Sequence, residues 1–181
     1  MENKWNVVII LKRVIFPIKF LEYGIVHREK RMHDHQQPQG DSSMAKKMIY
    51  ITTFDLERLS DLIEAYRNSG HQKKVPVDML EKELERAQIV DPKSVPSDVV
   101  TMNSTAHLQD LKTGEEIICT LVFPKDANVE QHKISVMAPV GMALIGYRVG
   151  DVIEWPVPGG VRQLKVMKTL YQPEASGRYD L

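Results

Sequence analysis

The sequence predicts an α+β fold: a short N-terminal antiparallel helical hairpin, then an antiparallel β domain with one short helix. Three observations predict it. Apolar residues recur at spacings of three and four between residues 52 and 90. From residue 97 the pattern changes to short alternating runs parted by Gly, Pro and Asp. An apolar stretch with Pro139 at its start and Gly146 at its end interrupts those runs.

Leu56, Leu59, Leu62, Ile63 and Tyr66 form the stripe of the first helix. Thr52, three residues before Asp55, resembles a capping box at its start. Asn68-Ser69-Gly70 ends it, with Gly70 as the left-handed stop. After a polar tip, HQKKV, Pro76 suits the first turn of a second helix. Its stripe is Val77, Leu80, Leu84 and Ala87, and Asp91-Pro92 stops it. Each arm is about 20 Å long at about 1.5 Å per residue. Arms this short are marginal alone in water, so the following domain must steady them.

The β domain begins with Val99 to Leu111, where Met102, Ala106 and Leu108 alternate with polar residues. Lys112-Thr113-Gly114 makes a turn, and Glu115 to Phe123 is apolar enough for a central strand. Further strands are expected at His132 to Val136, at Asp151 to Trp155 and at Val161 to Tyr171, the last two joined by Pro158-Gly159-Gly160. Leu164, Val166 and Leu170 share one register in the last strand. In the interrupting helix, Met142, Leu144 and Ile145 are the residues to pack on the sheet. His107 and His132 read as structural or solvated, and Cys119 as a small core residue.

Residues 1–47 are different in kind. They hold nine basic and five acidic residues, whereas the chain as a whole is neutral. Lys12, Arg13, Lys19 and Glu22 interrupt the apolar stretch from Trp5 to Val26, so neither a membrane span nor a secretory signal is expected. A breaker-rich linker follows, in which His27, His33 and His35 read as solvated rather than as metal ligands. Two readings stand: a strand or amphipathic anchor, or an upstream extension of a shorter protein that starts near Met44. The expected division is therefore an unassigned extension over 1–47, the hairpin over 48–93 and the β domain over 94–181.

Composition and motifs narrow the function. One cysteine excludes an intrachain disulfide and a thiolate zinc cluster, and fits a reducing, cytoplasmic setting. Zero net charge argues against coating nucleic acid by bulk electrostatics. The sequence has no phosphate-cradling loop, no dinucleotide fingerprint, no HExxH and no GxSxG. No catalytic residue, cofactor or metal is expected.

The residues ISVMAPVGMALIGYRVGDVIEWPVPGGVRQLKV, 134–166, resemble the C-terminal domain of the bacterial Gre transcript-cleavage factors. LEKELERAQIV, VPSDVVTMNS and YQPEASGRYDL extend the likeness to the Rnk family, the regulators of nucleoside diphosphate kinase. The resemblance implies an FKBP-like fold for the C-terminal domain. It implies a partner, core RNA polymerase, bound at the rim of its secondary channel, with nucleic acid met only indirectly. It also implies competition with Gre factors without transcript cleavage. The docking contact is carried over to Ala138, Pro139 and Val140, with Ala138 standing where Gre factors commonly have a polar residue.

Gre cleavage needs carboxylates at the tip of a long hairpin, because a hard divalent cation takes oxygen ligands. Here Arg67 to Val77 reads RNSGHQKKVPV and contains no acid. Lys73 and Lys74 would repel a cation, and His71, Lys73 and Lys74 are candidates for meeting acidic surface near the channel. Two other functions remain open. An FKBP-like prolyl isomerase would need Phe123, Tyr147 and Trp155 to line one apolar pocket. An interaction module unrelated to polymerase would use the hairpin alone. Oligomeric state is not fixed by the sequence.

Overall fold

The computed structural model describes residues 47–69, 75–157 and 160–181. The expectations for residues 1–46, including the three histidines, and for the tip residues His71, Lys73 and Lys74 lie outside them, as do Gly70, Pro158 and Gly159.

The first element is a strand, β1 (Ile49–Thr52), with Ile49, Ile51 and Thr52 buried. It runs directly into helix α1 (Thr53–Asn68), and α2 (Val75–Glu85) follows. Strand β2 (Ala87–Val90) then pairs parallel with β1, Ile49 opposite Ala87 and Thr52 opposite Val90. Parallel neighbours need a long crossover, and the helix pair supplies it. The helical stripe from Val77 to Ala87 therefore overran its helix. Gln88-Ile89-Val90 is a β-favouring run, and β1 offers it a ladder.

Thr52 caps α1 as expected: its hydroxyl accepts from Asp55 N at 3.0 Å. The reciprocal half of a capping box is replaced by another contact, for the Asp55 carboxylate accepts from Met102 N at 3.1 Å. The α1 end is closed by Ser69, in right-handed helical conformation, whose N–H and hydroxyl both donate to Tyr66 O.

The larger sheet has the order β5-β4-β3-β7-β6. These are β3 (Thr105–Asp110), β4 (Glu116–Val122), β5 (Lys133–Ser135), β6 (Val152–Val157) and β7 (Gly160–Tyr171). β4 is an internal strand, yet it alternates, with Glu116 and Ile118 exposed and Ile117, Cys119 and Leu121 buried. The sheet is mixed rather than wholly antiparallel. Two 3₁₀ turns, Pro124–Asp126 and Val129–Gln131, carry the chain back so that β5 joins β4 in parallel.

The expected strand from Val99 shortens to six residues. Asn103 has φ of 61°, a left-handed conformation that Asn tolerates, and Ser104 N bonds back to Thr101 O. Met102 is still fully buried. In β7, Leu164 and Val166 are buried but Leu170 is 46% exposed. Two register shifts against β3, between Thr105 and Ala106 and between His107 and Leu108, break the alternation that placed Leu170 with them.

Helix α3 (Pro139–Leu144) begins with proline in its first turn. Gly146 follows it at φ of 77° and accepts from Tyr50 N at 3.1 Å. A Cβ at Gly146 would fall 2.8 Å from both Ile49 Cβ and Tyr50 O, so only glycine lets α3 close onto β1. One apolar core joins Leu59 and Ile63 of α1, Val77 and Leu80 of α2, Met142 and Leu144 of α3, and Leu108, Leu121, Leu164 and Val166 of the sheet.

Candidate docking site

The candidate site is the turn that links β5 to α3. Val136 N donates to Val122 O at 2.8 Å, which prolongs the β4–β5 ladder by one residue. The chain then reverses. Ala138 N donates to Ser135 O at 2.9 Å, and Met137 N donates to the Ser135 hydroxyl at 3.1 Å. Ala138 is the residue before the helix, and it offers no side-chain cap. Met137 and Ala138 are half-buried and Pro139 is exposed, while Val140 is 4% exposed and belongs to the core. Of the three sequence-derived docking residues, the structure leaves Ala138 and Pro139 on the surface and turns Val140 inward.

Gly141 lies against the same turn. A Cβ there would fall 2.1 Å from Ser135 O, so the first turn of α3 presses directly on the end of β5. Behind α3, the Tyr147 hydroxyl accepts from Arg86 at 3.3 Å, and Arg86 is itself paired with Glu83. Thus the end of α2 meets the residues that follow α3.

The helix pair bears on the other part of the site. Its two helices are joined by an ion pair, Arg67 to Glu81 at 2.6 Å. Buried positions on α1 stop at Ile63, and the helix stops at Asn68. Five residues at about 1.5 Å each leave only about 8 Å of helix beyond the last buried side chain.

At its other end, α1 is tied to the sheet. Asp55 is buried, and Arg58 lies 3.9 Å from its carboxylate. The Arg58 guanidinium sits 4.8 Å from the Phe54 ring centre and 4.4 Å from that of Phe123. Burial pushes the Asp55 carboxyl up to about 6, and nearby Glu174 adds to the rise; Met102 N, Arg58 and Thr52 oppose it. Glu174 accepts from the Thr101 hydroxyl at 2.7 Å, and Gln172 donates to Pro96 O and Val99 O. The C-terminal segment and α1 therefore brace the same loop, residues 96–104.

The aromatic residues of the isomerase alternative are engaged separately. Phe123 is 8% exposed beneath Arg58, and Tyr147 lies beneath Arg86, 5.7 Å from its ring centre. The Trp155 side chain lies outside the described residues. His107 faces Glu116, Nε2 to Oε2 3.1 Å, and His132 adopts a left-handed turn. Sequence reasoning missed Ser135 and Gly141 as parts of the turn. Ser135 stood in view inside the Ile-Ser pair, but its bonds to the next residues follow from the reversal, which spacing does not show.

This sheet, with its proline-opened helix and preceding turn, places residues 95–171 in one class: they match the model "Transcription elongation factor, GreA/GreB, C-term". Residues 47–90 match a second model, "Rnk N-terminus". The "Regulator of nucleoside diphosphate kinase" of Escherichia coli (strain K12) is 45% identical over 138 residues, which is 75% of this chain and 98% of that protein. "Transcription elongation factor GreA" of Chloroherpeton thalassium is 36% identical over 104 residues, 58% of this chain and 66% of that one. A solved structure, "Prokaryotic transcription elongation factor GreA/GreB from Nitrosomonas europaea", superposes with a TM-score of 0.57 at 44% identity. It covers 70% of this chain and 100% of its own. The chain belongs to the regulator of nucleoside diphosphate kinase (Rnk) family.

Proposed function

We propose that this chain is a noncatalytic transcription regulator that docks on core RNA polymerase at the rim of the secondary channel. It competes there with Gre factors and does not stimulate transcript cleavage. The observation that carries this reading is the stub of helix beyond Ile63, only about 8 Å, together with a tip sequence free of carboxylates from Arg67 to Val77. A prong that short and that basic cannot deliver oxygen ligands to a metal deep in a channel. We read the helix pair as an antiparallel hairpin over 48–93 and the sheet with α3 as an FKBP-like module over 94–181. In this reading the protein works in the cytoplasm, and nucleic acid is met only through polymerase.

Docking is assigned to Ala138 and Pro139, with Val140 supporting them from the core. His71, Lys73 and Lys74 face acidic surface at the channel mouth, a weaker contribution since exposed ion pairs are worth about 0–1 kcal/mol. The isomerase reading has less support, because Phe123 and Tyr147 are each covered by an arginine.

Pull-down with core RNA polymerase tests the reading. The native chain should be retained, an excess of Gre factor should displace it, and Pro139→Arg should abolish retention. Retention of Pro139→Arg at native levels would remove the turn from the interface, and retention unaffected by Gre factor would refute a shared site.

A further inference from the structure

We infer that Ser135 is the positioning residue of the docking turn, its hydroxyl fixing Met137 so that Ala138 and Pro139 are presented in one conformation. This deepens the proposed docking and rests on it. The turn cannot hold itself. Ala138 has no side-chain oxygen to cap α3, and Pro139 has no N–H to bond. The restraint comes from one residue upstream. Ser135 receives two successive backbone N–H groups, Met137 on its hydroxyl at 3.1 Å and Ala138 on its carbonyl at 2.9 Å.

Ser135 is itself held on two sides. It pairs with Val122 as the last residue of β5. Its carbonyl is pressed by Gly141, at a spacing that leaves no room for a Cβ. The hydroxyl is thus the one part of this restraint that side-chain chemistry sets. The ladder and the carbonyl bond belong to the backbone and survive substitution.

Loss of the hydroxyl leaves Met137 N without its acceptor while the core beneath, Val136, Val140 and Met142, stays intact. The turn then samples other conformations, and apparent affinity falls with the docking-competent fraction. One ordinary hydrogen bond corresponds to a loss of about two- to tenfold.

The test is titration of the full chain against core RNA polymerase, with amide exchange at Met137 measured on the free chain. Ser135→Ala should bind about two- to tenfold more weakly and exchange faster at Met137, at a melting temperature close to native. Ser135→Thr, which keeps the hydroxyl, should restore both. A merely structural role would lower the melting temperature in step with affinity. If the native chain binds and Ser135→Ala binds equally well, Ser135 does not position the turn and docking itself stands. Equal weakening by Ala and Thr would also overturn the inference, because the hydroxyl would not be what matters. A native chain that does not bind at all would overturn the docking on which it rests.

Discussion

Asp55 is a carboxylate in the core, held by one backbone N–H and by Arg58 at 3.9 Å. Its folded carboxyl is raised from 3.8 to about 6, so the folded state binds the proton more tightly than the unfolded chain does. Between those values stability must rise as pH falls. The group contributes roughly 1 kcal/mol more at pH 5 than at pH 7. Urea unfolding at the two pH values, for the native chain and for Asp55→Asn, measures this as the difference between their pH slopes. Equal slopes would contradict it. The Thr52 cap of α1 was legible in the sequence, because a Thr three residues before an acid at the start of an apolar stripe has few other uses. That the acid turns away to Met102 was not, since it depends on a loop 47 positions further on. Cys119 was legible as core. It is 1% exposed and burial pushes its thiol up to about 12, so a thiol reagent should leave the folded chain unlabelled and modify it once in urea. Rapid labelling of the native chain would contradict that placement.

At the scale of elements, helix α3 was readable because its start and its stop are both conformationally special residues. Pro139 fits the first turn, and Gly146 supplies the positive φ beyond it. Gly146→Ala must strain the backbone and push on Ile49 and Tyr50, which costs at least about 2 kcal/mol. Thermal unfolding should show a fall of roughly 4–8 °C, and an unchanged transition would mean that β1 does not close onto this turn. Strand β2 was unreadable for a complementary reason. Ala87 continues the helical spacing of Leu80 and Leu84, and only the presence of β1 alongside favours a ladder over another helical turn. Leu170 failed through bulges, which shift the face of a strand without changing its composition.

For the whole molecule, the charge of the tip was legible and its reach was not. The acid-free run from Arg67 to Val77 is plain in the sequence. How much of each arm projects was not, because that requires knowing where burial stops on α1, at Ile63. The core anchors both helices to the sheet, and Tyr66 in the last turn of α1 still packs against it, so the arms serve chiefly as structure. Length and charge therefore make separate demands. Lys73→Asp combined with Lys74→Glu supplies carboxylates but no reach, and transcript cleavage by this variant should stay at background; clear cleavage would show that the arms reach further than their burial allows. The candidate docking turn was half legible. Pro139 marked its position, while the inward direction of Val140 and the Ser135 hydrogen bond to Met137 came from the reversal of the chain after β5. The most direct test of the account is a transcript-cleavage assay on backtracked elongation complexes, with this chain added alone and then titrated against a fixed amount of Gre factor. Docking without cleavage requires intact RNA with the chain alone and a dose-dependent loss of Gre-stimulated cleavage; cleavage by the chain alone, or Gre activity untouched at saturating chain, would refute it.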